Sequence, residues 1–224
     1  MTRRGYRVEF TGGNGHRLAG IVDRPVDLDP AGDRGLGTPV VLFSHCFTCN
    51  KDLKAIVRIS RHLAAAGFVV LRYDMTGLGG SQGTFAETNF DSNLADLLAA
   101  ARFATAEVGP PTILLGHSLG GAASLAAAAQ WPADLMGLSG VATLAAPSDT
   151  SHLAQLLVRM DPAVETSGRG QVSIGGRHWE TTTQLINNLR HTIYRSGYPK
   201  SRSHCCCSTL PSTKPSATIT PCGS

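Results

Sequence analysis

Long apolar runs are missing from this sequence, and cysteine is scarce in most of it. No stretch approaches the roughly 20 apolar residues of a transmembrane helix. The basic start MTRRGYRVEF has no apolar segment of the kind that a signal peptide carries. Before residue 191 the cysteines are Cys46 and Cys49, which excludes a framework of several disulfides and favours a reducing compartment. We therefore expect a cytoplasmic protein that does not enter a membrane.

Excess charge is also missing from the main part of the chain. The formal net charge of +4 comes from residues 191–224, which hold four basic residues and no acidic one, so the other 16 basic residues balance the 16 acidic ones. A neutral body gives no indication of nucleic-acid binding. The same segment is rich in serine and proline and holds four of the six cysteines. We interpret residues 1–190 as a domain and 191–224 as a tail that is disordered or read out of frame.

Apolar strands alternate with helical patterns along residues 1–190. The four central strands are continuous apolar runs, which is typical of parallel strands covered on both faces. The alternation predicts an α/β fold of three layers with a mostly parallel sheet. Predicted strands cover residues 40–45, 68–74, 112–116 and 140–147, predicted helices 52–67, 89–109, 119–130 and 181–190, and predicted hairpins 6–25 and 171–180.

The stretch TILLGHSLGG, residues 112–121, contains the pattern Gly-x-Ser-x-Gly. The pattern alone is weak, but here a predicted strand precedes it and an alanine-rich helix follows it. In such a strand–turn–helix the glycines at 116 and 120 leave room for a sharp turn that exposes Ser118 as a nucleophile. The helix amino terminus then directs N–H groups towards a developing oxyanion. An ordinary turn serine is the alternative.

Four longer stretches together resemble a known family: HCFTCNKDLKAIVRISRHLAAAGF, RYDMTGLGGSQGTFAETNFDSNLADL, GHSLGGAA and ATLAAPSD. They are similar to the α/β-hydrolase proteins that are found joined to a domain of the osmotically inducible protein C (OsmC) type, over residues 6–190. The resemblance implies hydrolysis of a small ester or amide by Ser118, without a metal or organic cofactor. It also implies an oxyanion hole made by the N–H groups of Phe47 and Leu119, with His45 bracing the turn.

Two other motifs suggest different chemistry. The stretch GLGGSQG, residues 77–83, resembles a phosphate-binding loop but lacks the Lys-Ser/Thr ending, so we do not expect nucleotide binding. The pair Cys46 and Cys49 has the spacing of a redox motif, which would make the chain a thiol-redox protein. We favour the interpretation that both cysteines pack in the oxyanion loop. A single pair offers too few ligands for structural zinc.

The acid and base of a hydrolase triad should follow the serine. Asp149 follows the sixth strand, but capping of the helix that begins near residue 151 is the favoured role for it. Asp161 and Glu165 are less well placed. No downstream histidine lies in the Asp-His loop that the resemblance leads us to expect; the downstream histidines are His152, His178, His191 and His204.

The base is therefore unassigned, and the hydrolase fold is expected to be incomplete after about strand six. A non-catalytic remnant of a hydrolase remains an alternative. If the sheet ends with residues 140–147, that strand is an uncovered edge prone to self-association unless the tail or a partner covers it.

Overall fold

The computed structural model describes residues 5–26 and 37–192 and the backbone of residues 206–207. The strands are β1 (Gly5–Thr11), β2 (Arg17–Asp23), β3 (Val40–Ser44), β4 (Val69–Tyr73), β5 (Pro111–His117), β6 (Gly140–Leu144), β7 (Arg169–Ile174), β8 (Arg177–Thr182) and β9 (Cys206–Cys207). The helices are α1 (Lys54–Ala65), α2 (Phe90–Glu107), α3 (Leu119–Ala129), α4 (Ser151–Met160), α5 (Ala163–Thr166) and α6 (Thr183–His191), with a short 3-10 helix at Phe85–Glu87. The predicted alternation of strands and helices is confirmed.

The main sheet has the strand order β1-β2-β4-β3-β5-β6-β9. β1 and β2 form the predicted amino-terminal hairpin, and β2 continues antiparallel to β4. The pairs β4–β3, β3–β5, β5–β6 and β6–β9 are parallel. Because β3 lies between β4 and β5, the turns that follow these three strands meet at the carboxyl edge of the sheet, where ligands bind in open α/β sheets.

Successive residues of the central strands face two separate apolar clusters. Leu42 of β3 and Leu71 of β4 pack in the cluster that includes side chains of α2 and α3. Their neighbours Val41 and Val70 face the opposite side, in the cluster that includes Ile56 of α1. This alternation follows from the pleat, which sends consecutive side chains to opposite faces. The result is the predicted three-layer α/β architecture, with α1 on one face of the sheet and α2 and α3 on the other.

The sheet does not end at its sixth strand. Cys206 and Cys207 pair in parallel with Ala142 and Thr143 of β6. The six predicted strands are therefore present, and these two residues of the tail cover part of the edge of β6. A short strand needs only backbone partners, so no apolar pattern marks it in the sequence. Apart from these two residues, positions 193–224 lie outside the described residues, and the predicted disordered or out-of-frame tail lies there with them.

The segment after β6 forms a smaller layer beside the main sheet. β7 and β8 pair antiparallel in their own two-stranded sheet, as predicted for residues 171–180. Val172 of β7 and Leu185, Ile186 and Leu189 of α6 are buried in the same cluster as α2 and α3. None of the helices in the described ranges is long and apolar enough to cross a membrane.

Candidate active site

Ser118 lies on a sharp turn between β5 and α3. Its backbone has φ 52° and ψ −120°, a conformation that costs free energy for any residue with a Cβ. The Ser118 N–H donates to the carbonyl oxygen of Leu144 at 2.8 Å, which ties the turn to β6. The Ser118 side chain does not cap α3 and is half-buried. The turn thus presents the hydroxyl at the carboxyl edge of the sheet, as the Gly-x-Ser-x-Gly pattern predicts.

Two glycines permit this turn for steric reasons. A Cβ at Gly116 would lie 2.4 Å from the backbone nitrogen of Gly121, so the strand before the serine and the helix after it nearly touch. A Cβ at Gly120 would lie 2.3 Å from the carbonyl oxygen of His45 and 2.4 Å from that of Ser44. The first turn of α3 therefore packs directly on the end of β3.

The turn after β3 brings Phe47 to the same edge. Ser44 at the end of β3 is paired with Gly116 of β5, so the chain leaves both strands at the same level. Among the described residues, neither the Phe47 N–H nor the Leu119 N–H donates to a backbone carbonyl. Leu119 is the first residue of α3, where an N–H has no partner within the helix.

His45 is buried at the start of the turn after β3, residues 45–51. Its Nδ1 lies 2.9 Å from the carbonyl oxygen of Cys46, and its Nε2 accepts the N–H of Met75 at 3.1 Å. These two partners require the neutral tautomer with the proton on Nδ1. Burial lowers the pKa of His45, which also favours the neutral form. Both ring nitrogens are thus occupied by backbone groups, an arrangement that suits the predicted bracing role.

Cys46 and Cys49 are joined by a disulfide, with their Cα atoms 5.3 Å apart. Both cysteines lie in the turn after β3, as the sequence predicts, and the disulfide between them is a feature that the sequence analysis does not predict. The Cys49 N–H donates to the Cys46 carbonyl oxygen at 3.2 Å, and this tight turn brings the two residues within disulfide range. The bridge closes the segment that carries Phe47.

Asp149 lies after β6 and is exposed. Its Oδ1 accepts the N–H of Ser151 at 2.8 Å, and its Oδ2 accepts the Ser151 hydroxyl at 2.5 Å. These bonds from Ser151, and then the charge of His152, lower the pKa of Asp149. Since Ser151 is the first residue of α4, this carboxylate accepts one N–H of the first helical turn, a role close to the predicted capping, although the N-cap position itself is Thr150. Asp161 similarly accepts the N–H groups of Ala163 and Gln171.

The histidines after Ser118 lie on the surface wherever the structure describes them. His152, His178 and His191 are exposed, and His191 Nδ1 lies 2.7 Å from the carbonyl oxygen of Asn187. His204 lies outside the described residues. His117, directly before the serine, is half-buried, and this burial lowers its pKa.

A buried charged network supports the turn after β3, and the sequence analysis does not predict it. Asp74 binds Lys51, and Arg72 donates from Nε to Asp23 at 2.8 Å and from Nη1 to the Lys51 carbonyl oxygen at 2.7 Å. Ser60 of α1 donates to the same Asp23 carboxylate at 2.5 Å. One signal for this network is present in the sequence: Arg72 and Asp74 lie at the end of an apolar strand, in the stretch LRYD. Because a buried charge needs a partner, their position indicates buried ion pairs.

The glycine-rich segment 77–83 wraps around a side chain of its own protein. The Gly80 N–H donates to Asp74 Oδ2 at 2.8 Å, and a Cβ at Gly79 would lie 2.1 Å from the same oxygen. The segment thus donates a backbone N–H to a carboxylate of the same chain, as anion-binding loops do to their ligands. Within the described ranges, no group of three or more His, Cys, Asp or Glu side chains could hold a metal ion.

Three aromatic rings connect the turn after β3 with the β7–β8 hairpin. The rings of Phe47 and Phe85 meet edge to face with centroids 5.4 Å apart, and those of Phe85 and Trp179 do so at 5.0 Å. Trp179 Nε1 is buried and has no hydrogen-bond partner among the described residues. The inserted hairpin therefore contributes an apolar wall beside the candidate oxyanion donor.

Residues 39–194 match the protein family described as Serine aminopeptidase, S33. The matched segment includes the turn after β3, Ser118 and the β7–β8 hairpin. It therefore spans every element that contributes to the site described above.

Solved structures of esterases share this fold. The esterase domain from a Rhodothermus marinus protein has 37% sequence identity and a TM-score of 0.63, covering 91% of this chain and 75% of that one. Est1E from Butyrivibrio proteoclasticus, a structure with ferulic acid bound, has a TM-score of 0.67 at 21% identity, covering 84% of this chain and 72% of that one. At that identity the second likeness shows the fold alone.

Curated relatives include the palmitoyl-protein thioesterase ABHD10, mitochondrial, of two rodents. The Rattus norvegicus protein is 26% identical over 167 residues, which is 75% of this chain and 52% of that protein. The Mus musculus protein is 30% identical over 131 residues, which is 58% of this chain and 43% of that protein. The chain thus spans about half the length of the curated relatives it matches.

Proposed function

The chain belongs to the Serine aminopeptidase, S33 family, and from this we propose that it is a serine hydrolase in which Ser118 attacks the carbonyl carbon of an ester. The observation that carries the proposal is the backbone of Ser118, with φ 52° and ψ −120°. A strained conformation at a half-buried serine is typical of functional sites, because folding alone gives no reason to keep it. Packing of α3 on the end of β3 supports the same assignment.

In the proposed reaction the Ser118 oxygen adds to the ester carbonyl, and the N–H groups of Phe47 and Leu119 bind the resulting oxyanion. The alcohol then leaves, and water releases the acyl group from Ser118 in a second addition. The amino terminus of α3 adds the partial positive charge of its dipole at the same point. The proton of Ser118 needs an acceptor, for which His152 and His191 are the candidates, with Asp149 as the candidate acid.

Esters and thioesters are the proposed substrates in preference to amides. The solved relative with 37% identity is an esterase domain, and the curated relatives are named thioesterases. Phe47, Phe85 and Trp179 offer an apolar surface beside the oxyanion donors, which suits a small ester with an apolar or aromatic group. Ferulic acid in Est1E illustrates such a group in another protein of this fold.

Hydrolysis of p-nitrophenyl acetate by the full chain tests the proposal. Ser118→Ala should lower the rate, whereas Ser139→Ala, at an exposed serine away from the site, should leave it unchanged. We expect turnover below the usual range of about 1–10³ per second. An oxyanion hole and substrate binding alone retain roughly 10³–10⁴ over water. A hydrolysis rate in Ser118→Ala equal to that of the wild type would contradict the proposal.

The same assay identifies the base. If turnover reaches the ordinary range, substitution of the general base should lower kcat by several orders of magnitude. His152→Ala and His191→Ala are the variants to compare, with Asp149→Ala beside them. Asp149→Ala should chiefly weaken the cap of α4, and a kcat loss that matches a histidine variant would instead make it the triad acid.

A further inference from the structure

The turn that carries Phe47 is held at both ends by the chain that follows β4. At the start of the turn, His45 Nε2 accepts the N–H of Met75 at 3.1 Å. At its end, Asp74 binds Lys51 twice: Oδ1 accepts the Lys51 N–H at 2.6 Å and Oδ2 accepts the ammonium at 2.8 Å. Because Asp74 and Met75 are consecutive, a single corner of the chain fixes both ends of the turn.

Asp74 has little freedom to move. Its side chain is fully buried, and Oδ2 also accepts the N–H of Gly80 at 2.8 Å. Lys51 is held on its other side by Arg72, which donates to the Lys51 carbonyl oxygen at 2.7 Å. Burial would lower the pKa of Lys51, but the hydrogen bonds and charges of Asp74 and Asp52 outweigh it and raise that pKa. Lys51 is therefore a cation at neutral pH. Any displacement of the Asp74 carboxylate would leave buried hydrogen-bond donors unpaired.

We propose that Asp74 is a positioning residue that, through Lys51, sets the place of the Phe47 N–H relative to Ser118. This inference rests on the proposed function, since the position of that N–H matters for the reaction only if Ser118 is the nucleophile. An oxyanion donor stabilises the transition state when it is held in place before the reaction. Loss of its position therefore lowers kcat and leaves KM nearly unchanged.

The variant Asp74→Asn keeps the size of the side chain but replaces one acceptor oxygen by an NH₂ donor. At the Oδ1 position that donor would face the Lys51 N–H, and at the Oδ2 position it would face the Lys51 ammonium and the Gly80 N–H. In either orientation at least one end of the clamp is lost. Removal of an oxyanion donor costs about 10²–10³ in kcat, and displacement of one should cost roughly tenfold or more. KM for p-nitrophenyl acetate should change less than about twofold.

Asp96→Asn is the matched control. Asp96 is also fully buried and also accepts two backbone N–H groups, from Gly13 at 3.1 Å and from Thr76 at 2.8 Å. Its hydrogen-bond partners lie outside residues 45–51. Thr76 follows Met75 in the same corner, but neither partner of Asp96 binds residues 45–51. We therefore expect the kcat loss in Asp96→Asn to be clearly smaller than that in Asp74→Asn.

Amide hydrogen exchange of residues 45–51, followed by mass spectrometry, tests the positioning without relying on activity. Exchange should rise in Asp74→Asn and in Lys51→Met and stay unchanged in Asp96→Asn. The double variant of Lys51 and Asp74 should lose no more kcat than either single variant, because the two residues act as a unit. If Asp74→Asn does not fold, Lys51→Met removes the same ion pair from its other side.

Wild-type kcat and exchange in a folded Asp74→Asn would overturn the inference, as would an equal kcat loss in Asp96→Asn. The absence of Ser118-dependent hydrolysis in the wild type would contradict the proposed function alone. In that case the exchange of residues 45–51 still decides whether Asp74 holds the turn.

Discussion

Replacement of Gly120 by alanine should damage the turn and the fold together. The new Cβ would lie 2.3 Å from the His45 carbonyl oxygen and 2.4 Å from the Ser44 carbonyl oxygen. Both are backbone atoms at the end of β3, so neither can rotate away as a side chain would. Overpacking in a dense interior costs about 1–3 kcal/mol, and contact with two backbone oxygens places this variant at the upper end, near 3 kcal/mol.

Urea denaturation followed by circular dichroism measures this loss, with Gly137→Ala as the control. Gly137 is exposed and a Cβ there meets no atom within 4 Å, so that variant should be neutral. A loss of about 3 kcal/mol should lower Tm by roughly 6–12 °C in a domain of this size. Equal stability of the two variants would refute the close packing of α3 on β3.

Three further predictions concern the strained serine, the disulfide and the buried histidines. Ser118→Gly should be more stable than Ser118→Ala by about 0.5–2 kcal/mol. Glycine relieves the backbone strain at φ 52° and ψ −120°, and this gain exceeds its larger loss of chain entropy on folding. Equal thermal stability of the two variants would contradict this prediction. Reduction of the Cys46–Cys49 disulfide should lower the free energy of unfolding by about 2 kcal/mol, the chain-entropy value for so short a loop, and a Cys46→Ser/Cys49→Ser variant should not respond to dithiothreitol. Burial lowers the pKa of His45 and of His117 below 6.5, so the unfolded chain binds protons at these residues at a higher pH than the folded protein does. The free energy of unfolding should therefore fall as the pH drops below about 6.5. If the dependence of this free energy on pH is the same in His45→Gln, His45 is not its source.

The architecture could be predicted because each local pattern agrees with the global fold. Continuous apolar runs such as VVLFS and VVLRY fit only strands that are buried on both faces. The sharp turn at Ser118 could be predicted because the glycines at 116 and 120 avoid steric clashes between neighbouring parts of the turn. These signals lie within ten residues of the features they determine.

Features that depend on distant residues could not be predicted. Arg72 reads as an interruption of an apolar strand, and its partner Asp23 lies 49 residues away. Cys46 and Cys49 have a spacing that suits free thiols, a redox pair or a disulfide, and the turn between them decides which forms. The strand Cys206–Cys207 exists through its backbone pairing with β6, which leaves no side-chain pattern in the sequence.

The most direct test of the central claim is the reaction of the folded chain with a fluorophosphonate probe, followed by peptide mass spectrometry. Such probes react quickly with a serine only where the site stabilises the developing oxyanion. We predict a single adduct on Ser118 in the native protein, with no adduct after denaturation or in Ser118→Ala. Labelling of another residue, or equal labelling of native and denatured protein, would contradict the assignment of Ser118 as the nucleophile.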